Sequence, residues 1–438
     1  MVRLLVFCTL TCLLLADCQP DHSYRAPVSD PEFLHRAHHK LTDIIVYDIF
    51  SPPVASRNYV YPSIAAYETV RQAYQENKSL AGQLRNLKPI PAPKDTSLCN
   101  LPIAAFQAFV TVGKALIFSE GKMEEFVSEV HQEYRDLGVP KRVLETSLAY
   151  GNEVAQHILN WADEDNYKQT RTFPKFDIRD EEGRWQPTPP DYMEGIEPHW
   201  REIRPMVIDS AQQFTPPFPS PYDLSEGSSF HGEVMEVYET VNSLDEEQTE
   251  IAKFWDCNPY VSHHKGHVMF ATKKITPGGH WMGIAELAAK KANADMLTSA
   301  KTYALTSIAL FDAFISCWDE KYRSSLIRPE TVINKHFDDR WVPLLQTPPF
   351  PEYTSGHSVI SAAAGETLTA IYGDNFAFDD TVELAYGLPV RSFSSFRNAY
   401  QEAAISRLYG GIHYMPAIEN GVIQGKKLGI FIINSIDL

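Results

Sequence analysis

Cysteine is scarce in this sequence, and no Cys-x-x-Cys pair occurs. The 438-residue chain has six cysteines, three of them within its first 18 residues. The other three are widely separated: Cys99, Cys257 and Cys317. Without a Cys-x-x-Cys pair or a dense cysteine pattern, a zinc ribbon and a disulfide-stapled fold are excluded. We expect buried free thiols, with one disulfide among the three as the alternative.

Positive charge is also in short supply. Lys and Arg number 39 against 56 for Asp and Glu, which gives a formal net charge of −17. An acidic surface repels phosphate backbones and anionic lipid headgroups, so nucleic acid and anionic membranes are not expected as partners. A cationic pocket inside an acidic exterior is compatible with this balance, because different residues determine the two.

Long apolar runs are confined to the N-terminus, so no other segment is expected to span a membrane. Residues 1–18 contain an apolar stretch, Leu4 to Ala16, that is too short to cross a bilayer and has the length of a signal-peptide core. The end of this segment, Leu15-Ala16-Asp17-Cys18, resembles a bacterial lipoprotein cleavage box with Cys18 as the lipidated residue. We expect an exported protein of the periplasm or cell surface, with ordinary secretion as the alternative. Residues 19–30 would form a tether.

Runs of alternating apolar and polar residues are missing too, and helical spacing takes their place. The pattern predicts an all-α fold, a helical bundle architecture of two bundle-like halves, residues 31–168 and 227–438. Pro52 and Pro53 are expected to end the first helix. The predicted helices span residues 32–50, 58–76, 102–118, 122–136, 140–163, 230–242, 245–256, 279–293, 297–319, 355–372, 396–409 and 416–434.

The segment between the two halves, residues 169–226, is rich in proline and aromatic residues. Prolines recur from Pro187 to Pro221 and forbid long regular elements. Tryptophan, tyrosine and phenylalanine are interleaved with them, which disordered segments seldom show. We expect an ordered, irregular belt that packs on the helices and connects the halves.

Three polar clusters lie in residues 321–413. They are Lys321 to Pro329, Phe350 to His357, and Ser406 to His413. Cations, small hydrogen-bond donors and imidazoles in these clusters suit a tetrahedral or trigonal-bipyramidal oxyanion such as phosphate or vanadate. The candidate groups are Lys321, Arg328, Arg407, the Ser355 hydroxyl, the Gly356 amide, His357 and His413.

At two of these clusters, the predicted secondary structure would bring the candidate groups together. Lys321 and Arg328 would project from one face of a continuous helix, which Pro329 would end. Ser355 would cap another helix, whose N-terminus attracts an anion and whose first turn carries His357. Taken singly, the clusters have simpler explanations: a solvated basic patch, an ordinary capped helix and a packed loop histidine.

Together and in this order, the clusters resemble a known signature. Lys-x6-Arg-Pro, Ser-Gly-His and Ser-Arg-x5-His are typical of vanadium-dependent haloperoxidases and of the related type 2 phosphatidic acid phosphatases and bacterial acid phosphatases. Here the signature covers residues 321–413. The long helical N-terminal half and Asp312-Ala313-Phe314 are more similar to the haloperoxidase branch, and most similar to the bacterial vanadium iodoperoxidases of marine flavobacteria.

The resemblance implies vanadate as the cofactor. His413 would bind the vanadium through one imidazole nitrogen. His357 would be the acid–base group that deprotonates hydrogen peroxide, and Phe350 would lie near the halide path. The vanadate oxygens would be neutralised or hydrogen bonded by Lys321, Arg328, Arg407, Ser355 and the Gly356 amide.

The implied activity is oxidation of halide by hydrogen peroxide to hypohalous acid. Iodide is the easiest halide to oxidise, and bromide follows. Two alternatives stay open. The first is a phosphohydrolase in which His413 is phosphorylated and His357 protonates the leaving group. The second is a non-catalytic surface protein that binds an oxyanion. A monomer or small homo-oligomer is expected in each case.

The sequence departs from the family pattern at two positions. Tyr353 replaces a usual proline, and Ala417 stands where many members have an acid that orients the last histidine. Glu419, Tyr260 or a backbone carbonyl is expected to take that role, with weaker vanadate binding as a consequence.

A further group of histidines, His263, His264 and His267, lies between two predicted helices. Its spacing is compatible with a second metal site. We favour a supporting role for this loop at the wall of the pocket.

Overall fold

The computed structural model describes residues 23–74, 76–265, 268–271 and 273–437, with the backbone alone over 263–265 and 268–271. The predicted signal segment and the first residues of the predicted tether lie outside these ranges. Most of the described chain is helical, which confirms the all-α prediction. The helices of the N-terminal part are α1 (Arg25–Val28), α2 (Glu32–Tyr47), α3 (Pro52–Val70), α4 (Leu101–Ala115), α5 (Glu120–Asp136), α6 (Lys141–Ala162) and α7 (Tyr167–Thr170).

The C-terminal part is built around one long helix. Its helices are α8 (Ser229–Asn242), α9 (Glu246–Phe254), α10 (Pro277–Lys291), α11 (Met296–Ser324), α12 (Pro329–His336), α13 (Gly356–Tyr372), α14 (Phe396–Tyr409) and α15 (Met415–Ser435). Nearly all of α11 is buried, and it packs against α3, α10, α13 and α15. One hydrophobic core therefore continues from the first predicted half into the second.

Short elements complete the fold. Three segments form 3-10 helices: Arg71–Ala73, Trp200–Glu202 and Val382–Tyr386. Two antiparallel hairpins pair β1 (Ser262–Lys265) with β2 (Val268–Ala271) and β3 (Phe378–Asp380) with β4 (Arg391–Phe393). These strands have three or four residues, too few for an alternating pattern to be visible in the sequence. Among the described residues, no helix is both long and apolar enough to cross a bilayer.

Two sequence-based boundaries near the N-terminus were wrong. Pro52 and Pro53 begin α3 rather than ending α2, because the N-cap Ser51 accepts a hydrogen bond from the Val54 amide and proline suits the first helical turn. The described part of the predicted tether is packed, since Tyr24 and Val28 are buried in the core.

The expectation of one helix through Lys321 and Arg328 was also wrong. Helix α11 ends at Ser324, and Ser325 adopts a left-handed conformation with φ 48°. Arg328 is extended, as the residue before a proline must be, and Pro329 is the first residue of α12. Pro329 thus starts a helix, and the turn before it brings Arg328 back over the end of α11.

The proline-rich belt is ordered and irregular, as predicted. Its Trp185 and Trp200 are fully buried. Backbone hydrogen bonds tie it to the turn after α11: the Trp185 amide donates to the Ser325 carbonyl over 2.8 Å, and the Ile327 amide donates to the Gly183 carbonyl over 3.0 Å. The belt therefore supports the segment that carries Arg328.

A buried carboxylate on α11 holds another part of the belt. Asp312 accepts hydrogen bonds from the amides of Met206, Val207 and Ile208 at 2.7, 2.8 and 3.0 Å. Burial raises its pKa to about 6, and the three amides oppose that rise. Because both oxygens are used, no neutral side chain can replace the carboxylate fully.

Replacing Asp312 by Asn should lower the free energy of unfolding by about 2 to 4 kcal/mol, because in either orientation of the amide at least one buried N–H loses its acceptor. Denaturant unfolding measures this loss. Asp209→Asn is the matched control, since the Asp209 side chain is 82% exposed and forms a surface ion pair with Arg85. Equal stability of the two variants would contradict this role for Asp312.

Candidate active site

The three sequence clusters meet at one pocket. Gly356, His357, Arg407 and His413 line it, and Phe350 forms part of its wall. The other predicted groups adjoin these residues: Ser355 precedes Gly356, and Lys321 and Arg328 lie over the Phe350 ring at 5.0 and 5.2 Å. Helix α11, the turn before α12, the N-terminus of α13 and the end of α14 each contribute one part.

Lys321 is a buried cation beneath the N-terminus of α13. Its Nζ donates to the carbonyls of Pro351, Glu352 and Thr354 at 3.1, 3.1 and 2.6 Å. Burial lowers the pKa of this ammonium to about 8, and the charge of Arg328 acts in the same direction. Its three bonds fix the segment that leads into α13 and place a positive charge close to Gly356.

Arg328 connects two of the clusters. Its Nε donates to the Phe350 carbonyl over 2.9 Å, and its Nη1 donates to the Ile412 carbonyl over 2.8 Å. Nη1 is also 3.2 Å from Nε2 of His413. Nη2 is buried and has no partner within the described residues. Burial lowers the pKa of the guanidinium to about 10, which still leaves it charged at neutral pH.

His413 is oriented by Glu352, a residue that the sequence analysis did not select. Its Nδ1 lies 2.7 Å from Oε1 of Glu352, and the Tyr414 amide donates to the same oxygen over 3.0 Å. Arg328 Nη1 can only donate, so Nε2 is the acceptor in that contact, and the ring proton is on Nδ1, facing Glu352. Burial raises the pKa of Glu352 to about 8, while Arg328 and Lys321 oppose the rise.

This contact corrects the expectation for the missing acid. Glu419 is exposed, and Tyr260 lines the pocket without a described contact to His413. Ala417 uses its carbonyl elsewhere, accepting from the Ser355 amide over 3.0 Å. Glu352 precedes His413 by 61 residues, so the family pattern gave no reason to look there.

Arg407 and His357 converge on one backbone carbonyl. Arg407 Nη2 donates to the Trp255 carbonyl over 2.7 Å, and the His357 ring also hydrogen bonds to the Trp255 backbone. Nε2 of His357 is buried and has no partner among the described residues. Burial lowers the pKa of His357 well below its usual range, and the charges of Arg407 and His280 add to this effect. The ring is therefore neutral with one nitrogen available.

The N-terminus of α13 is formed as predicted. Ser355 is the N-cap, and its hydroxyl accepts from the Ser358 amide over 3.3 Å. The amides of the first turn have no acceptor within a helix, so those of Gly356 and His357 can receive an anion. A Cβ on Gly356 would approach Trp318 and Lys321 at 3.7 and 3.9 Å and would occupy part of this space.

The pocket wall is aromatic. The Phe350 ring packs on the Trp318 ring with centroids 5.0 Å apart, and both side chains line the pocket. Tyr353, which replaces the usual proline, is buried and donates from its hydroxyl to the Pro217 carbonyl of the belt. This departure from the family pattern anchors the approach to α13.

A known protein is similar to this chain in both sequence and fold. A family model described as the VCPO second helical-bundle domain matches residues 301–437. A solved structure described as the first bacterial vanadium-dependent iodoperoxidase is 54% identical in sequence, with a TM-score of 0.89 over 93% of this chain and 97% of its own. The chain belongs to the vanadium-dependent haloperoxidase family. Comparison with curated proteins gives no match.

More distant haloperoxidases share the fold. A holo-type bacterial vanadium-dependent chloroperoxidase is 16% identical, with a TM-score of 0.69 over 89% of this chain and 93% of its own. An apo-type chloroperoxidase is 14% identical, with a TM-score of 0.66 over 88% and 94%. At these identities the likeness concerns the helical architecture alone.

The donor set fits vanadate, the cofactor of this family. Three buried cations surround the pocket, Arg328 Nη2 and His357 Nε2 lack partners within the described residues, and the lone pair of His413 Nε2 faces Arg328 Nη1 at 3.2 Å. An oxyanion would satisfy the unpaired arginine donor, and neutral imidazole nitrogen is a common metal ligand.

Two further predictions concern the cysteines and the histidine-rich loop. Cys99, Cys257 and Cys317 are free, and the last two are buried as expected. His263, His264 and His267 lie where the structure describes no side chains, so the second metal suggested for that loop is untested.

Replacing Glu352 by Gln should weaken vanadate binding by about 10- to 100-fold. The variant keeps an acceptor for Nδ1 of His413 but removes the carboxyl group, which in its ionised form makes Nε2 more basic. It also makes the pocket more positive, which favours an anion. We expect the lower basicity of Nε2 to outweigh the more positive pocket, because Glu352 lies 2.7 Å from the imidazole ring. Titration of the purified protein with orthovanadate measures the change.

Glu366→Gln is the matched control, because Glu366 is a buried carboxylate on α13 that pairs with Arg397 away from the pocket. Unchanged or tighter vanadate binding by Glu352→Gln would show that pocket charge outweighs the basicity of His413.

Proposed function

We propose that this chain is a vanadate-dependent peroxidase that oxidises halide, iodide most readily, with hydrogen peroxide. The observation that carries the proposal is the Glu352–His413 contact, which leaves the Nε2 lone pair of His413 among three buried cations. Its relative at 54% identity is described as an iodoperoxidase. The product would be hypohalous acid or its equivalent.

The cofactor would be held by seven groups. His413 would bind the vanadium through Nε2. The vanadate oxygens would be neutralised or hydrogen bonded by Lys321, Arg328, Arg407, the Ser355 hydroxyl and the amides of Gly356 and His357. When bound, vanadate supplies a Lewis acid that activates peroxide for a two-electron oxidation without a change in the metal's oxidation state.

His357 would move the proton. Its neutral ring has Nε2 unpaired and buried, and its other nitrogen is engaged with the Trp255 backbone. Nε2 can therefore accept a proton from hydrogen peroxide and return it to the departing oxygen. The contact with Trp255 fixes the ring plane and requires a proton on the second nitrogen, which leaves the lone pair on Nε2.

Phe350 and Trp318 would form the halide path. Both rings line the pocket and exclude water from its apolar side. Iodide is large, polarisable and weakly hydrated, so it loses less hydration free energy than the other halides when it enters such a path. It is also the halide that is easiest to oxidise, and bromide would follow.

The decisive experiment compares two activities of one preparation. Full-length protein is stripped of oxyanions, supplied with orthovanadate and assayed for triiodide formation from iodide and hydrogen peroxide, with p-nitrophenyl phosphate hydrolysis in parallel. We expect vanadate-dependent triiodide formation and no hydrolysis. Hydrolysis that vanadate inhibits, without iodide oxidation, would instead place the protein with the phosphohydrolases.

We also propose export through residues 1–18, with lipid attachment at Cys18. The basis is the apolar segment that ends in Leu15-Ala16-Asp17-Cys18. Cell fractionation of wild type and Cys18→Ser tests this: the wild type should be in the membrane fraction and the variant should not. Identical distribution of the two proteins would contradict the lipid anchor.

A further inference from the structure

A second cluster of metal-ligand side chains lies at the wall of the vanadate pocket, which Cys257 also lines. Cys257 follows α9, His280 lies in the first turns of α10, and Glu383 lies in the 3-10 helix Val382–Tyr386. All three are buried. No spacing motif indicated this group, because its members are separated by 23 and 103 residues along the chain.

The three ligand atoms have the separations of a tetrahedral zinc site. His280 Nδ1 is 3.1 Å from Glu383 Oε1 and 3.5 Å from Cys257 Sγ, and Cys257 Sγ is 3.9 Å from Glu383 Oε1. Zinc bonds of about 2.3 Å to sulfur and about 2.0 to 2.1 Å to nitrogen and oxygen place such ligands roughly 3.3 to 3.6 Å apart. Shifts of a few tenths of an ångström in these side chains would bring the three ligand atoms to these separations.

The histidine is already oriented as a metal ligand. Its Nε2 lies 2.8 Å from Oδ2 of Asp380, and the other Asp380 oxygen accepts from the Val382 amide over 3.0 Å. The imidazole ring also stacks on Trp255 with centroids 4.7 Å apart and an angle of 21°. A carboxylate on the distal nitrogen is the usual companion of a zinc-bound histidine, and it directs the Nδ1 lone pair towards Cys257 and Glu383.

The acidic groups of the cluster favour binding of a cation. Two buried carboxylates and a thiol surround a single imidazole. Asp380 and Glu383 lie 2.8 and 3.1 Å from its Nε2 and Nδ1. A divalent ion bound at Nδ1 and at the Cys257 thiolate would offset this negative charge, and the proton of the thiol would be released on binding.

We propose that Cys257, His280 and Glu383 bind a zinc ion. Thiolate, imidazole and carboxylate together suit zinc, whereas magnesium and calcium prefer oxygen ligands only. A water molecule or a second Glu383 oxygen would complete four-coordination. Val46 and Ile275 pack with Cys257 in one apolar cluster, and all three proposed ligands are buried.

The ion would stabilise the wall of the haloperoxidase pocket. Cys257 is two residues from Trp255, whose carbonyl accepts from Arg407 and whose ring stacks on His280. Fixing Cys257 to α10 fixes that carbonyl, and with it the positions of Arg407 and His357. This inference does not depend on the proposed halide chemistry.

The test is the metal content of tag-free protein produced with zinc in the medium and dialysed against a weak chelator. Elemental analysis should find about one zinc per chain in the wild type and in Cys99→Ser, a cysteine outside the cluster. Cys257→Ala and Glu383→Gln should each lose most of it. His413→Ala should keep its zinc, which separates this site from the vanadate pocket.

Cobalt provides a readout that does not require activity. Protein produced with cobalt in place of zinc should show a thiolate-to-cobalt charge-transfer band that Cys257→Ala lacks. Zinc below about 0.1 per chain in the wild type, or full zinc in Glu383→Gln and Cys257→Ala, would overturn the proposal. If Cys257→Ala does not fold, Glu383→Gln decides the question.

Discussion

Replacing His357 by Gln should lower kcat for iodide oxidation by about 10²- to 10⁴-fold while vanadate binding changes little. Glutamine can keep the hydrogen bond to the Trp255 backbone but cannot accept a proton at neutral pH. The loss should therefore fall on the proton-transfer step. Steady-state kinetics at saturating vanadate, together with a separate titration of vanadate binding, distinguish the two effects.

His157→Gln is the matched control for this variant. His157 is a partly buried histidine whose Nε2 lies 3.1 Å from the Lys88 carbonyl, far from the pocket along the chain. Its replacement should leave kcat unchanged. If His357→Gln kept wild-type kcat, the base would have to be another group, and if it lost vanadate and activity to the same extent, His357 would be a cofactor ligand instead.

Replacing His413 by Ala should abolish vanadate-dependent iodide oxidation. The variant removes the imidazole nitrogen that would bind the vanadium, and the groups that remain can hold an oxyanion only by charge and hydrogen bonds. Vanadate should then be lost on gel filtration, whereas the wild type retains it. Vanadium content after filtration and triiodide formation are measured on the same samples.

The fold should survive this replacement. Glu352 keeps the Tyr414 amide as a donor, and Arg328 keeps the Phe350 and Ile412 carbonyls. His336→Ala, at a histidine in contact with Tyr222, controls for the loss of any imidazole. Wild-type activity and vanadium content in His413→Ala would mean that another residue binds the metal, and the assignment of His413 would be wrong.

Arg328 was predicted as a site residue, but its position in the fold was not. Its place in the signature was visible, yet a continuous helix was expected to carry it beside Lys321. A left-handed residue at Ser325 and the extended conformation required before Pro329 reverse the chain instead. The residue was predicted from chemistry, whereas its approach to His413 depends on a turn that the belt holds in place.

Glu352 was not predicted as a site residue, although it lies beside one of the three clusters. It is the lone acid between Asp339 and Glu366, next to the Ser355-Gly356-His357 cluster, so a signal was present. Nothing in the sequence pairs it with His413, because that contact arises only when the approach to α13 and the loop after α14 are packed together. The sequence showed that the usual acid is missing at Ala417, but it did not show that Glu352 takes the role of that acid.

The sequence by itself determined the helical class, the ordered belt and the set of groups for an oxyanion, because helical periodicity, proline content and side-chain chemistry are local properties. Only the tertiary structure decided which carboxylate orients His413, which nitrogen of His357 is unpaired, and that Cys257, His280 and Glu383 meet. Each of these depends on contacts between residues that are distant along the chain, and such contacts are selected by packing of the whole core rather than by any local pattern.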